Sequence, residues 1–127
     1  MHTPANLGSL GIGIDIEEVS RFYCLDRERD DAFLAKVFTS KELDYCYSKE
    51  RRAEHLAARF AGKEAVIKAV GDLTGQALAH GVIEILSERG APRVQLAKGA
   101  GKDLVVKVSL SHTFNYAVAL AIAQRVG

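Results

Sequence analysis

The sequence predicts an α+β domain in which a largely antiparallel sheet packs against a long helix. Three observations predict it. Strand-like runs stand near both ends of the chain, "SLGIGIDI" at one and "LVVKVSLSH" with "YAVALAIA" at the other. A single long periodic segment, "RRAEHLAARFAGKEAVIKAVG", lies between them. The later strands are joined by short turn-forming links, which mark hairpins rather than parallel crossovers. A chain of 127 residues holds one core and is too short for two. Residues 1–127 therefore read as one domain, with 1–8 as a loose lead-in.

The elements follow in order. Residues 9–16 form the first strand. Leu10, Ile12, Ile14 and Ile16 share one face, while Gly11 and Gly13 share the other, followed by Asp15 and Glu17. The isoleucine face is expected to anchor the strand in the core. The bare glycine face is expected to admit another backbone or a ligand. A helix is expected from Glu17, with acids in its first turn. "RERDDAFLAKVF" is charged and then amphipathic. In "TSKELDYCYSK", Thr39 or Ser40 suits an N-cap, with Glu42 in the first turn.

The long helix runs from about Arg51 to Val70, stopped by Gly71. "GDLTGQALAHG" reads as a glycine-rich and polar connection. Two short strands, "VIEILSE" and "PRVQLA", meet at "RGAP". The last two strands, residues 104–112 and 116–123, form a hairpin across "TFN". Ala117, Ala119, Ala121 and Ala123 share one face of the final strand, so a helix can lie close to it.

Composition excludes several function classes. Seventeen Lys and Arg against sixteen Asp and Glu leave a net charge of +1, which argues against nucleic-acid binding driven by bulk charge. No apolar run is long enough to cross a membrane. The N-terminal residues lack the basic start and apolar core of a signal peptide. Cys24 and Cys46 have no metal-ligand spacing and read as reduced thiols, so the chain is expected in the cytoplasm.

The long helix carries an unusual pattern. Leu56, Phe60, Ile67 and Val70 form an apolar stripe with Lys63 inside it, and Glu64 and Lys68 flank it four residues apart. A solvated i,i+4 ion pair, worth about 0.2–0.5 kcal/mol, accounts for the last two by itself. Lys63 in the stripe, and Gly62 where Ala would be about 1 kcal/mol better, point beyond that simple reading. "GIGIDIE" is no dinucleotide fingerprint, because the third glycine is missing and Glu17 and Glu18 stand where phosphate would bind. One or two carboxylates completed by water and phosphate are typical for Mg²⁺. Asp15 and Glu64 could serve if strand and helix are neighbours, with Lys63 and Lys68 facing phosphate oxygens. Ser111 and His112 point to opposite faces of their strand and are not a nucleophile–base pair.

Three stretches in order carry a resemblance: "GIGIDIEEVSRF" at 11–22, "RFAGKEAVIKAVG" at 59–71 and "VSLSHTFNYAVALAI" at 108–122. Together they resemble the holo-acyl-carrier-protein synthase family, the short-chain branch of the 4′-phosphopantetheinyl transferases. The resemblance implies that family's α+β fold and Mg²⁺-dependent transfer of 4′-phosphopantetheine from coenzyme A to a serine of an apo acyl carrier protein. Adenosine 3′,5′-bisphosphate would leave.

By motif, Asp15 and Glu64 are implied as Mg²⁺ ligands and Lys68 as a contact to the coenzyme A phosphates. Arg59 and His112 are implied at the nucleotide end, Gly71 beside the cofactor, Lys63 as part of the "KEA" motif, and Arg21 as a contact to the carrier protein. The resemblance also implies a homotrimer with sites between subunits. Two departures stand out. Thr113 follows "SH" where some relatives have an acid, so the base falls to a metal-bound water or a metal-ligating carboxylate. "GAP" replaces the common "GKP" and reads as a surface change. The competing readings are a non-catalytic coenzyme A or nucleotide-binding module and a structural trimer.

Overall fold

The structure is a computed structural model describing residues 7–126; the expected lead-in falls mostly on residues 1–6, outside the described residues. The first strand, β1, spans Leu10–Glu18 and pairs antiparallel with the last, β5, Tyr116–Arg125. Strand β4, Leu104–His112, pairs with the other edge of β5, giving the order β1-β5-β4. A second sheet is the hairpin of β2, Ile83–Glu88, and β3, Ala91–Leu96. Three helices, α1 (Asp31–Val37), α2 (Ser40–Tyr47) and α3 (Arg52–Thr74), stand between β1 and β2. The α+β class and the antiparallel pairing are as expected.

The glycine face of β1 admits another backbone, as expected, but the isoleucine face does not anchor the core. Gly11 and Gly13 face α3, and a methyl built on either would run into a helix carbonyl, Ala69 or Ala65. The alanines at 117, 119, 121 and 123 of β5 are fully buried beside them. Small residues win this face because a long helix can lie against bare backbone with little gap. The isoleucines point the other way, and Ile12, Ile14 and Ile16 are 61%, 61% and 63% exposed. They anchor no core within one chain.

Helix α3 runs one turn beyond the expected stop. Gly71 lies inside it, and Gly75, in the left-handed region at φ 74°, ends it by donating its N–H to the Gly71 carbonyl. The helix is wrapped on most sides, so its apolar stripe is not a stripe. Leu56 and Val70 are buried, Phe60 and Ile67 only partly, while Ala57, Ala61, Ala65 and Ala69 are all buried. Gly62 has a packing reason, because an added methyl would lie 2.5 Å from Ile85 Cδ1.

Elsewhere the local chemistry agrees with the sequence. Thr39 caps α2 in a capping box: its hydroxyl accepts the Glu42 N–H and its own N–H donates to Glu42 Oε1 at 2.8 Å. Arg89 and Gly90, both at positive φ, make the tight β2–β3 turn. The helix expected from Glu17 is absent. Pairing with β5 carries β1 through Glu18, and only a 3-10 turn, Val19–Phe22, follows.

Candidate active site

Two groups of polar side chains flank α3. The first lies where β1 meets the helix. Asp15 and Glu17 continue the helix-facing side of β1 beyond the glycines, so the small face ends in carboxylates. Lys68 reaches across from α3 and donates to the Ile14 carbonyl at 2.9 Å, with Asp15 Oδ1 at 3.4 Å. Asp72, one turn on, accepts the Ile12 N–H at 3.1 Å. These two contacts cover part of the otherwise unpaired edge of β1. The other oxygen of Asp15, Oδ2, is buried with no N–H or hydroxyl donor on it, and Asp15 shares a side-chain hydrogen bond with Glu17 only when the Glu17 carboxyl is protonated.

Glu64 lies near enough for its charge to be felt at Glu17, and it does not pair with Lys68. Its Oε1 lies 2.8 Å from His80 Nε2. Glu17, which sequence reasoning did not select, completes the group. Burial pushes its carboxyl up to about 7, and a side-chain hydrogen bond to Asp15, the Asp15 charge and, more weakly, the Glu64 charge add to the rise against the pull of Arg21. A cation beside Asp15 would pull it down again by the same Coulomb route. Arg21 sits on the 3-10 turn rather than a helix, largely exposed, and binds Glu17 at 2.6 Å.

The residues present suit Mg²⁺. A buried carboxylate oxygen with no donor on it is costly unless something positive meets it. Among the described residues no three His, Cys, Asp or Glu side chains form a closed cage. Mg²⁺ asks for less, one or two carboxylates with water and phosphate.

The second group lines a cavity of about 170 Å³ whose walls include Tyr45, His55, Arg59, Ser87, Pro92 and His112. Arg59 is 5% exposed, its guanidinium lies over the Tyr45 ring at 4.1 Å, and its Nε has no partner. His112 is held by Glu54 at 3.1 Å and meets His55 edge-on. Burial, then the charges of Arg59 and His112, hold the His55 imidazole below its usual range. A pocket whose buried cation lacks a full set of acceptors is suited to an anion. The hairpin tip is not remote from it, since Gly90 and Pro92 are on its wall while Ala91 is exposed. Thr113, at the departure after "SH", closes the β4–β5 turn: its Oγ1 accepts the N–H groups of Asn115 and Tyr116.

The sequence-selected residues therefore divide. Asp15 and Lys68 meet, with the charge of Glu64 felt at the neighbouring Glu17, and Arg59 and His112 line one cavity. Arg59 and Glu64 are five residues apart, about 140° around the helix axis, so the two groups leave different sides of α3. Gly71 is inside the helix with only the Gln76 carbonyl, 3.8 Å away, near an added methyl. Lys63 is in neither group. It is fully buried, ion-paired with Glu42 at 2.7 Å, and donates to the His80 and Ile83 carbonyls. An ammonium with three protein acceptors has nothing left to offer a phosphate, so Lys63 leaves the candidate set. Glu42 is saturated too, since Oε2 accepts the Ile85 N–H at 2.8 Å.

Residues 11–121 match the family model described as the 4′-phosphopantetheinyl transferase superfamily. The chain belongs to that superfamily. Curated relatives place it within a branch. It is 37% identical over 122 residues to the holo-[acyl-carrier-protein] synthase of Geotalea daltonii, covering 91% of this chain and 98% of the relative. It is 42% identical over 117 residues to that of Chlamydia trachomatis, covering 90% and 98%. Among solved structures, the Bacillus anthracis synthase in complex with coenzyme A (3′,5′-ADP) superposes with a TM-score of 0.71 at 30% identity, covering 91% of this chain and 96% of that one. The Helicobacter pylori synthase in complex with coenzyme A gives 0.72 at 30%, covering 87% and 96%. This phosphopantetheinyl transferase is thus an enzyme of the holo-[acyl-carrier-protein] synthase branch.

Proposed function

We propose that residues 1–127 form one transferase domain that moves the 4′-phosphopantetheine arm of coenzyme A to a serine of an apo acyl carrier protein, with Mg²⁺ held by Asp15 and Glu64. The observation that carries this reading is the buried Asp15 Oδ2, which no N–H or hydroxyl donor meets, beside Lys68 and Glu17, with the Glu64 charge felt at Glu17. Supporting it are the curated names of relatives and the coenzyme A complexes of two structural neighbours.

Mg²⁺ bound there supplies positive charge to the pyrophosphate oxygens as charge builds on the leaving group. The chain's own residues do the rest. Lys68 turns from the Ile14 carbonyl to a phosphate oxygen as the donor arrives. Arg59 and His112 take the 3′-phosphate, whose charge meets the unpartnered guanidinium nitrogen. Gly71 keeps the helix surface low where the cofactor passes. The serine hydroxyl gives its proton to a carboxylate of the Asp15 group as its oxygen forms the new P–O bond, the pyrophosphate P–O bond breaks, and adenosine 3′,5′-bisphosphate departs. Arg21, exposed at the end of β1, offers its free side to the acidic carrier protein.

The site is shared between copies in a homotrimer. Two features support this. The metal and nucleotide groups leave different sides of α3, so one chain presents two halves. The sheet face away from α3 is a continuous apolar patch of Ile12, Ile14, Ile16, Tyr116, Leu120 and Ile122, larger than the scattered apolar residues a monomer exposes. The enzyme works in the cytoplasm, which suits its free Cys24 and Cys46. No helix among the described residues is long and apolar enough to cross a membrane.

The test is the intact mass of an apo acyl carrier protein incubated with the enzyme, coenzyme A and Mg²⁺. A gain of one phosphopantetheine is expected. No gain across several carrier proteins would refute the reading.

A further inference from the structure

His80 was invisible to sequence reasoning, which left it in a polar connection. The structure grips it at three points. Its ring stacks on Phe60, centroids 5.3 Å apart and planes inclined by 15°. Its backbone carbonyl accepts from the buried Lys63 ammonium at 3.1 Å. Its Nε2 lies 2.8 Å from Glu64 Oε1. Phe60, Lys63 and Glu64 are spaced i, i+3, i+4, so a single face of α3 holds this one residue.

We propose that His80 is a positioning residue for Glu64, holding one carboxylate oxygen so that the other is presented to the metal. The proposal rests on the reading of Glu64 as a Mg²⁺ ligand. A carboxylate only accepts, so the contact places a hydrogen on Nε2. A glutamate on a helix flank otherwise samples several rotamers, and fixing them on metal binding opposes that binding. It would also pair with the lysine four residues on, Lys68. The hydrogen bond to His80 removes both problems: Glu64 is fixed in advance, and Lys68 is left to Asp15 and the β1 edge. Partners of this kind behind a ligating carboxylate typically change metal affinity about 10–100-fold. The 3-10 turn that carries this histidine, His80–Val82, is tied to the buried Glu42–Lys63 pair through the His80 carbonyl.

The experiment is a Mn²⁺ titration of the full chain with coenzyme A present, free Mn²⁺ being read by electron paramagnetic resonance. Wild type is compared with Glu64→Gln, His80→Leu and His80→Gln. Glu64→Gln is expected to lose the tight site. His80→Leu keeps an apolar group on Phe60 but no donor, and is expected to bind about 10-fold or more weakly. His80→Gln restores a donor and is expected to recover most of the loss, with thermal midpoints of both His80 variants close to wild type. If Glu64→Gln loses the site while His80→Leu binds as wild type, the positioning role is wrong and the metal reading stands. If Glu64→Gln binds Mn²⁺ as wild type, the metal reading itself fails. Equal weakening in His80→Leu and His80→Gln would overturn the hydrogen bond as the cause.

Discussion

Lys63 and Lys68 leave α3 five residues apart, and each meets a carboxylate from another element. Lys63 is fully buried against Glu42, and every strong donor and acceptor in that cluster is engaged, down to the Ile85 N–H and the His80 and Ile83 carbonyls. Lys68 has 53% of its side chain exposed and reaches Asp15 at 3.4 Å, while the second oxygen of that aspartate is buried with no N–H or hydroxyl donor on it. The comparison teaches how to separate structural from functional charge in one helix. Buried ions persist only when their partners are complete. A complete cluster ties α2, α3 and β2 together and has no capacity for a ligand. An incomplete one at an open strand edge has that capacity.

The largest effect should come from the incomplete cluster. Asp15→Asn or Glu64→Ala is expected to cut phosphopantetheine transfer about 1,000-fold or more, with urea midpoints at or above wild type. A variant that loses both activity and fold would erase the distinction. In the complete cluster the effect inverts. Lys63→Met leaves a buried carboxylate unpaired and should cost about 3–5 kcal/mol of stability. Pairing it with Glu42→Gln should recover part of that cost in the same urea titration. Wild-type stability with lost transfer would return Lys63 to the active site.

Two glycines sharpen the contrast at smaller scale. Gly13→Ala drives a methyl into the Ala65 carbonyl and should destabilise the fold by at least about 1–3 kcal/mol. Gly71→Ala meets only ordinary contact and should stabilise the helix by up to about 1 kcal/mol. Coenzyme A should nevertheless bind Gly71→Ala more weakly, read as a smaller ligand-induced rise in melting temperature. An undiminished rise would remove Gly71 from the cofactor's path.

The smallest effect concerns pH. His55 takes up its proton below its ordinary value of 6.5 in the folded chain. Below 6.5 the unfolded chain therefore binds more protons, and stability falls as pH drops. His55→Phe should make that acid limb shallower in unfolding titrations from pH 7 to 5, and an unchanged slope would contradict the assigned burial.

Much of this was legible in the sequence because period and spacing are local. The alanine face of β5, the capping box at Thr39 and the two hairpins followed from residue pattern alone. So did the meeting of Asp15 and Lys68, once strand and helix were taken as neighbours. The glycine face of β1 was read correctly as admitting another backbone, but its isoleucine face was misread because isoleucine usually marks the core. Here close helix packing claims the glycines and turns the isoleucines outward. Lys63 was misread because its partner Glu42 is 21 positions away and also serves the helix cap at Thr39. His80 gave no signal, since its partners Phe60 and Glu64 are brought to it only by the turn before β2. Glu17 looked like the start of a helix, and only strand pairing through Glu18 puts it beside Asp15.

The central claim is that two incomplete halves, Asp15 with Glu64 and Lys68, and Arg59 with His112, form one site across two copies. Mixing inactive Asp15→Asn with inactive Arg59→Ala, after brief dissociation and reassociation, tests it directly. Each variant retains the half the other lacks, so random trimers should regain about one working site in four. Transfer activity near that fraction of wild type is the predicted result. A mixture as inactive as its two components, with subunit exchange shown by mass, would contradict the account.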